Sequence, residues 1–88
     1  MTHCLKIWPL FFRAVSCGEK TFEFRKDDRD FKRGDILILQ EWEPENKSYT
    51  GKETAVRVTY LMLGGELGLP AGYCIMSVEQ ITLTPEKY

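Results

Sequence analysis

Several features that mark whole classes of protein are missing from this 88-residue sequence. No apolar run approaches the roughly 20 residues that a membrane-spanning helix needs, and the first residues lack the charged start and apolar stretch of a signal peptide. The three cysteines form no C-x-x-C pair, whereas small secreted domains stapled by disulfides carry an even and denser set. We therefore expect a cytoplasmic protein with reduced thiols and no membrane association.

An excess of one charge is also missing. Twelve Lys and Arg residues against 13 Asp and Glu residues give a net charge of −1. This balance excludes a polycation that coats nucleic acid, so any phosphate binding must come from a local patch. With 43% hydrophobic and 28% charged residues, the chain has the composition of a folded soluble protein, and we expect one domain over residues 1–88.

Motifs for metals and cofactors are absent as well. The single histidine, His3, and the three cysteines lack the spacing of a structural zinc site, and neighbours on a strand such as His3 and Cys4 point to opposite faces. The glycines of residues 64–72 do not form a dinucleotide-binding fingerprint. We expect neither a metal nor a cofactor, and we interpret the cysteines as core thiols.

One short helix is predicted near the start of the chain. A strand over residues 3–8 ends at Pro9, which suits the first turn of a helix, and Gly18 suits its exit. The spacing of the apolar residues between them predicts one buried helix face. That face consists of Leu10, Phe11, Ala14 and Val15.

Four more strands are predicted over residues 21–26, 35–42, 53–63 and 73–78, with an extension of the last through Leu83 left open. The run of residues 36–39 is continuously apolar and indicates burial on both faces, whereas residues 53–63 alternate. Their predicted inward residues are Val56, Val58, Tyr60 and Met62. We expect an α+β fold, namely a small β-barrel of about five strands with one short helix packed on it, because closure removes exposed sheet edges.

Charge is concentrated in residues 19–35, which hold six basic and six acidic residues. The strand inside this segment places Thr21, Glu23 and Arg25 on one face, about 7 Å apart per step, and Lys20 lies at its beginning. This pattern fits a solvated, salt-bridged surface, but it also fits a polar groove in which a hydroxyl, a carboxylate, an ammonium and a guanidinium meet.

The same residues carry a resemblance to a known family. The chain resembles the ASCH domain (activating signal cointegrator homology) of the PUA-like superfamily, in particular a small bacterial and phage branch of unknown function. The motifs concerned are Gly18-x-Lys20-x-x-Glu23-x-Arg25, Phe31-Lys32-Arg33-Gly34-Asp35, Tyr49-Thr50-Gly51 and Gly72-Tyr73-Cys74-Ile75-Met76-Ser77. The resemblance implies a PUA-like barrel that binds RNA or a nucleotide in a cleft between helix and barrel, lined by residues 20–25.

One group within that family is a small amidohydrolase that acts on acetylated cytidine, and it implies an alternative function. That group uses a lysine, a threonine three residues later and a more distant glutamate. Lys20 matches the lysine, but Glu23 stands at the threonine position, with Thr21 nearby, and Glu66 matches the glutamate only loosely. Under this alternative Lys20 and Glu23 would be the catalytic residues.

Our leading hypothesis is a nucleic-acid-binding domain. Its candidate contacts are His3, Lys20, Thr21, Glu23, Arg25, Arg29 and Tyr49. Aromatic side chains stack bases in readers of single-stranded RNA, and Phe12 and Tyr49 are the predicted stacking residues, whereas Trp8 and Trp42 are predicted to pack. Two further alternatives stay open: a protein-interaction module, and a structural domain in which Glu23 and Arg25 only pair with each other.

Overall fold

A computed structural model describes residues 1–82 of the chain. Its elements are β1 (Thr2–Ile7), α1 (Pro9–Ser16), β2 (Phe22–Lys26), β3 (Ile36–Glu43), β4 (Ser48–Leu63) and β5 (Tyr73–Ile81). The prediction of a mixed fold with five strands and one short helix is confirmed. Strand β4 begins five residues earlier than predicted. The extension of β5 reaches Ile81, and Leu83 lies outside the described residues.

The strands form one sheet in the order β1-β3-β4-β5-β2. Strand β1 runs parallel to β3, and the remaining pairs are antiparallel. The sheet curls into a half-barrel, and within residues 1–82 no ladder of hydrogen bonds joins β1 to β2. The expected closed barrel is therefore corrected to an open one, because β1 and β2 each pair on one side only and leave an opening between them.

The apolar core lies on the concave side of this sheet. Leu37, Ile38 and Leu39 are all buried, so the continuous run in β3 is covered on both faces, as its pattern predicts. Helix α1 packs against β3 and β4. The core cluster comprises Leu5, Ile7, Val15, Phe31, Leu37, Leu39, Val56, Val58, Cys74, Met76 and Val78.

The buried face of α1 differs from the predicted one. Val15 is buried and Phe12 packs against the core, whereas Leu10 and Phe11 are exposed to 65% and 43%. Phe12 and Val15 are three residues apart and share one side of the helix. The prediction of Phe12 as a free stacking residue is therefore wrong, and Phe11 is turned toward the opening instead.

A β-bulge decides which residues of β4 face outward. Val58 lies opposite Val78 in β5, but the next paired residue, Tyr60, lies opposite Ser77, so β4 carries one extra residue. Such an insertion exchanges the two faces of a strand. Tyr60 and Met62, which are predicted to point inward, are consequently exposed, and Leu61 packs against the core.

The three cysteines occupy different environments. Cys74 is buried in the core, and desolvation together with the negative charges of Asp27 and Asp28 raises the pKa of its thiol to about 11, so it stays protonated. Cys4 and Cys17 are exposed, which corrects their interpretation as core thiols. Within residues 1–82 no group of His, Cys, Asp and Glu side chains is placed to hold a metal ion, and no helix has the length and hydropathy to cross a membrane.

Asp35 joins the start of β1 to the turn that precedes β3. Its Oδ2 lies 2.8 Å from Nε2 of His3 and accepts a hydrogen bond of 3.0 Å from the backbone N–H of Lys32. Burial acts to raise the pKa of this carboxyl, but these hydrogen bonds and the nearby amino group of Met1 outweigh it and hold the pKa below 3.8. The ring of His3 also packs edge-on against Phe31, at 4.8 Å between centroids.

From the lowered pKa of Asp35 we predict how the free energy of unfolding depends on pH. A carboxylate with a depressed pKa stabilises the folded state above its unfolded pKa, and this contribution disappears as the pH falls through the folded pKa. We expect Asp35→Asn to lower the free energy of unfolding by about 1–3 kcal/mol at neutral pH. Below about pH 4 the difference from the wild type should shrink, as urea unfolding at several pH values will measure.

Asp30→Asn is the matched control. The Asp30 carboxylate is exposed and pairs with Lys32 at 3.2 Å, and its backbone has a φ of 53°, which asparagine tolerates. This variant should stay within about 0.5 kcal/mol of the wild type. If the free energy of unfolding depends on pH equally in the wild type and in Asp35→Asn, the lowered pKa of Asp35 is contradicted.

Candidate functional site

The opening between β1 and β2 contains a cleft of about 540 Å³. This volume lies within the roughly 300–1,000 Å³ that small-molecule sites occupy. We call it the aromatic cleft, since the end of β1, the first turn of α1 and the segment of residues 20–26 surround it with aromatic and charged side chains. Its lining consists of Lys6, Ile7, Trp8, Phe11, Lys20, Phe22, Glu23, Phe24, Arg25 and Lys26.

Strand β2 turns Glu23 and Arg25 inward, whereas Lys26 at its end is exposed. Glu23 is 2% exposed and lies opposite Met76 of β5, whereas Phe22 and Phe24 are exposed to 46% and 48%. The alternation of the strand places these two sets on opposite faces. Because β2 is an edge strand, its inward face meets the cleft as well as the core, and this position allows a carboxylate to be buried there.

The buried carboxylate of Glu23 holds two cations. Lys20 Nζ donates to Glu23 Oε2 at 2.6 Å and to the carbonyl oxygen of Phe22 at 2.8 Å, while Arg25 Nε donates to Glu23 Oε1 at 2.9 Å. Each carboxylate oxygen therefore has one cationic donor. A buried charge is tolerated when it is paired and hydrogen-bonded in this way. We refer to Lys20, Glu23 and Arg25 as the ion triad.

The ion triad leaves donors of Arg25 free for a ligand. Within residues 1–82, the side chain of Arg25 hydrogen-bonds to protein only through Nε, so both terminal Nη groups keep their N–H donors. Its side chain is 22% exposed and contributes to the lining of the cleft. A guanidinium held from behind by a carboxylate presents a planar pair of donors, which matches a phosphate or the edge of a base.

A second cleft of about 300 Å³ continues along the same opening. We call it the polar cleft. It shares Lys6, Arg25 and Lys26 with the aromatic cleft, and Arg29 spans it by donating from Nη1 to the carbonyl oxygen of Cys4 at 3.2 Å. Its lining consists of Cys4, Leu5, Lys6, Arg25, Lys26, Asp28, Arg29, Phe31 and Tyr49.

Positive charge dominates the aromatic cleft although the whole chain has a net charge of −1. Four cationic side chains and one carboxylate line it. The ammonium of Lys6 lies 4.2 Å from the ring centroid of Trp42, and that of Lys20 lies 4.8 Å from the ring centroid of Phe22, so both cations are positioned by aromatic faces. The cleft is therefore a local cationic and aromatic surface, whose chemistry is complementary to a planar anion.

The structure brings most of the predicted site residues to this opening. Lys20, Glu23 and Arg25 meet in the aromatic cleft, and Arg29 and Tyr49 line the polar cleft.

Three other residues considered for the site lie elsewhere. His3 is buried against Asp35 and lines neither cleft, and Thr21 is exposed, with its carbonyl oxygen bonded to the N–H of Val78. Glu66, the loose match to the glutamate of the amidohydrolases, is exposed in the loop between β4 and β5 and does not line the clefts.

Seven of the residues that line the aromatic cleft were not among the predicted contacts, and Lys6, Trp8, Phe11 and Lys26 are four of them. Trp8, which is predicted to pack, is 54% exposed and borders the cleft. The alternation of β1 contains a signal for two of these residues, because Leu5 and Ile7 are buried and Lys6 and Trp8 must then point away from the core.

Fold and site together define a class: a small α+β half-barrel with a cationic, aromatic cleft at its open side. The chain belongs to the family described as a domain of unknown function, DUF3850, whose model matches residues 2–78 and so includes every residue that lines the two clefts. It is similar to the "Uncharacterized 12.9 kDa protein in GpA 3'region" of Escherichia phage P2, with 42% identity over 57 residues. That match covers 65% of this chain and 50% of the phage protein, so the chain spans about half the length of this relative.

The ion triad makes a prediction about stability. Arg25→Ala removes one of the two cations that balance the buried Glu23, so we expect it to lower the free energy of unfolding by about 2–4 kcal/mol. Arg57→Ala is the control, since Arg57 pairs with Glu79 at a similar distance of 3.0 Å but in an exposed position. It should cost less than about 1 kcal/mol. Chemical denaturation compares the two variants, and equal losses would show that burial does not strengthen the triad.

Proposed function

We propose that this domain is a PUA-like module of the cytoplasm that binds single-stranded RNA or a nucleotide in the aromatic cleft. The observation that carries the proposal is the guanidinium of Arg25, held from behind by the buried Glu23 inside a cleft that exposed aromatic rings border. Phosphate and base are the two parts of a nucleotide, and this cleft offers a matching group for each.

The cations are arranged for phosphate. Lys6 and Lys26 are exposed and make no ion pair within residues 1–82, so their charges are available to an anion. Arg25 is less mobile because Glu23 orients it, and a donor that is held in its binding orientation loses less entropy when a ligand arrives. This combination favours contact with one or a few phosphates over the coating of a long polyanion.

The aromatic rings are arranged for a base. Trp8 is 54% exposed and Phe11 is 43% exposed, and both border the cleft. Stacking of a base on such a ring is worth about 1–3 kcal/mol in proteins that bind single strands. Exposure of apolar rings to water is unfavourable, and a base stacked on Trp8 or Phe11 would remove that exposure.

The resemblance to ASCH domains supports the same proposal. It implies a cleft between the helix and the sheet that is lined by the motif of residues 20–25, and the aromatic cleft lies next to α1 and contains Lys20, Glu23 and Arg25. The described fold, a curled five-stranded sheet with one short helix, is compatible with a PUA-like architecture.

Hydrolysis of an acetylated cytidine is the alternative that uses the same residues. Lys20 and Glu23 are in direct contact, so a proton could pass between them. Two observations favour binding instead: Lys20 Nζ is engaged by both Glu23 and the Phe22 carbonyl, and Glu66 does not line the cleft. A protein-interaction module is the remaining alternative, and its charged segment of residues 19–35 would pair with a partner chain.

Binding of RNA makes the first functional prediction. We expect a short oligouridylate to bind at low salt, with an affinity that falls as salt rises, by about 0.7 in log–log slope for each phosphate contact. The double variant Lys6→Ala, Lys26→Ala should weaken binding and reduce this slope, because it removes two cations that are not part of the ion triad. Fluorescence anisotropy of a labelled oligonucleotide measures both quantities.

The double variant Lys47→Ala, Lys52→Ala is the control for this experiment. Both residues are exposed and line neither cleft, and the net charge changes by the same amount. It should bind like the wild type. Absence of binding by the wild type at low salt, or an equal loss in both double variants, would refute a specific nucleic-acid site.

Hydrolysis is tested separately by the release of acetate from acetylcytidine. We expect no turnover at high protein concentration, because Nζ of Lys20 is already engaged by two acceptors, Glu23 and the Phe22 carbonyl. Acetate release that disappears in Lys20→Ala would overturn this expectation and favour the amidohydrolase.

A further inference from the structure

The two clefts of the opening point to a ligand longer than one nucleotide. We propose that the domain binds a single strand across both clefts, with one base in the aromatic cleft, the internucleotide phosphate at the boundary and the second nucleotide in the polar cleft. This inference rests on the proposed function and specifies its substrate class: an oligonucleotide and not a free nucleotide.

The boundary between the clefts is built from cations. Lys6, Arg25 and Lys26 are the three residues that line both clefts, and each carries a positive charge. Two of them are held in place, Arg25 by Glu23 and Lys6 by the ring of Trp42. A phosphate that sits here has a cleft on either side of it. An internucleotide phosphate has a nucleoside on either side in the same way.

The chemistry of the two clefts differs in a manner that suits two successive nucleotides. The aromatic cleft has Trp8 and Phe11 for the first base. The polar cleft has Arg29 and one well-exposed aromatic ring, Tyr49, at 54% exposure, for the second. A single nucleotide that fills the aromatic cleft leaves both of these groups without a contact.

The hydrogen bonding of the Arg29 side chain, which uses only one of its nitrogens, agrees with this arrangement. Its Nη1 bonds to the Cys4 carbonyl, which fixes the side chain across the opening, and within residues 1–82 its other nitrogens bond to no protein acceptor. Arg29 therefore lines the polar cleft and keeps N–H donors that a ligand can use. Such a group suits the sugar or the next phosphate of a strand that leaves the cleft.

The test compares uridine 5′-monophosphate with the dinucleotide uridylyl-uridine. The dinucleotide carries less negative charge, so charge alone favours the monophosphate. We expect the dinucleotide to bind about tenfold more tightly, because it adds a second stacked base. Binding is followed by calorimetry, and by quenching of the Trp8 fluorescence in a Trp42→Phe protein, where Trp8 is the remaining tryptophan.

Tyr49 variants locate the second nucleotide. Tyr49→Ala should remove the advantage of the dinucleotide and leave the affinity for the monophosphate unchanged, whereas Tyr49→Phe should keep both affinities. Tyr60→Ala is the control, since Tyr60 is similarly exposed, at 58%, but lines neither cleft. Tyr49 is on the surface, so its replacement should leave the fold intact, which circular dichroism verifies.

The possible failures are distinguishable. If the monophosphate binds as tightly as the dinucleotide, or if Tyr49→Ala weakens both equally, the two-nucleotide inference is overturned and the proposed function stands. If the monophosphate, the dinucleotide and a pentauridylate all fail to bind at low salt, the proposed function itself fails.

Discussion

The burial of one carboxylate governs the open side of this protein. Glu23 lies on the inward face of an edge strand with almost no contact with water, and a charge in that position needs cations close by. Lys20 and Arg25 supply them from three residues before and two residues after. The same alternation that turns Glu23 inward turns Phe22 and Phe24 outward, so the charges and the exposed rings that β2 brings to the cleft follow from this single requirement.

The opening between β1 and β2 exposes two strand edges, and such edges are ready templates for aggregation. Here charge protects the edges. The opening is lined by Lys6, Arg25, Lys26 and Arg29, and Arg29 donates a hydrogen bond to the carbonyl oxygen of Cys4 in β1. Lysine and arginine on an edge are a common protection against unwanted strand pairing. In this domain the residues that protect the edges are also the ones that give the cleft its positive potential.

The sequence predicted elements better than their environments. Alternation and turn residues located all five strands and the helix, and the two-residue spacing of β2 placed Glu23 and Arg25 on a common face. The exposed positions of Trp8 and Phe11 and the outward turn of Tyr60 were missed. These depend on which strand pairs with which, on the side from which the helix meets the sheet and on a one-residue bulge, all of which arise from contacts between distant parts of the chain. Apart from the alternation of β1, which indicates that Trp8 points away from the core, local patterns contain no information about them.

The pairing of β2 with β5 has a consequence for how the domain assembles. The cleft is lined by residues 6–26, yet within residues 1–82 the only strand that hydrogen-bonds to β2 is β5, at residues 73–77. All residues that line the aromatic cleft are therefore synthesised long before β5, the strand that holds β2 in place. During synthesis the closure of this loop of about 50 residues comes late, because non-local strand pairing follows local structure. A nascent or truncated chain without β5 would carry every lining residue of the cleft and still lack the cleft.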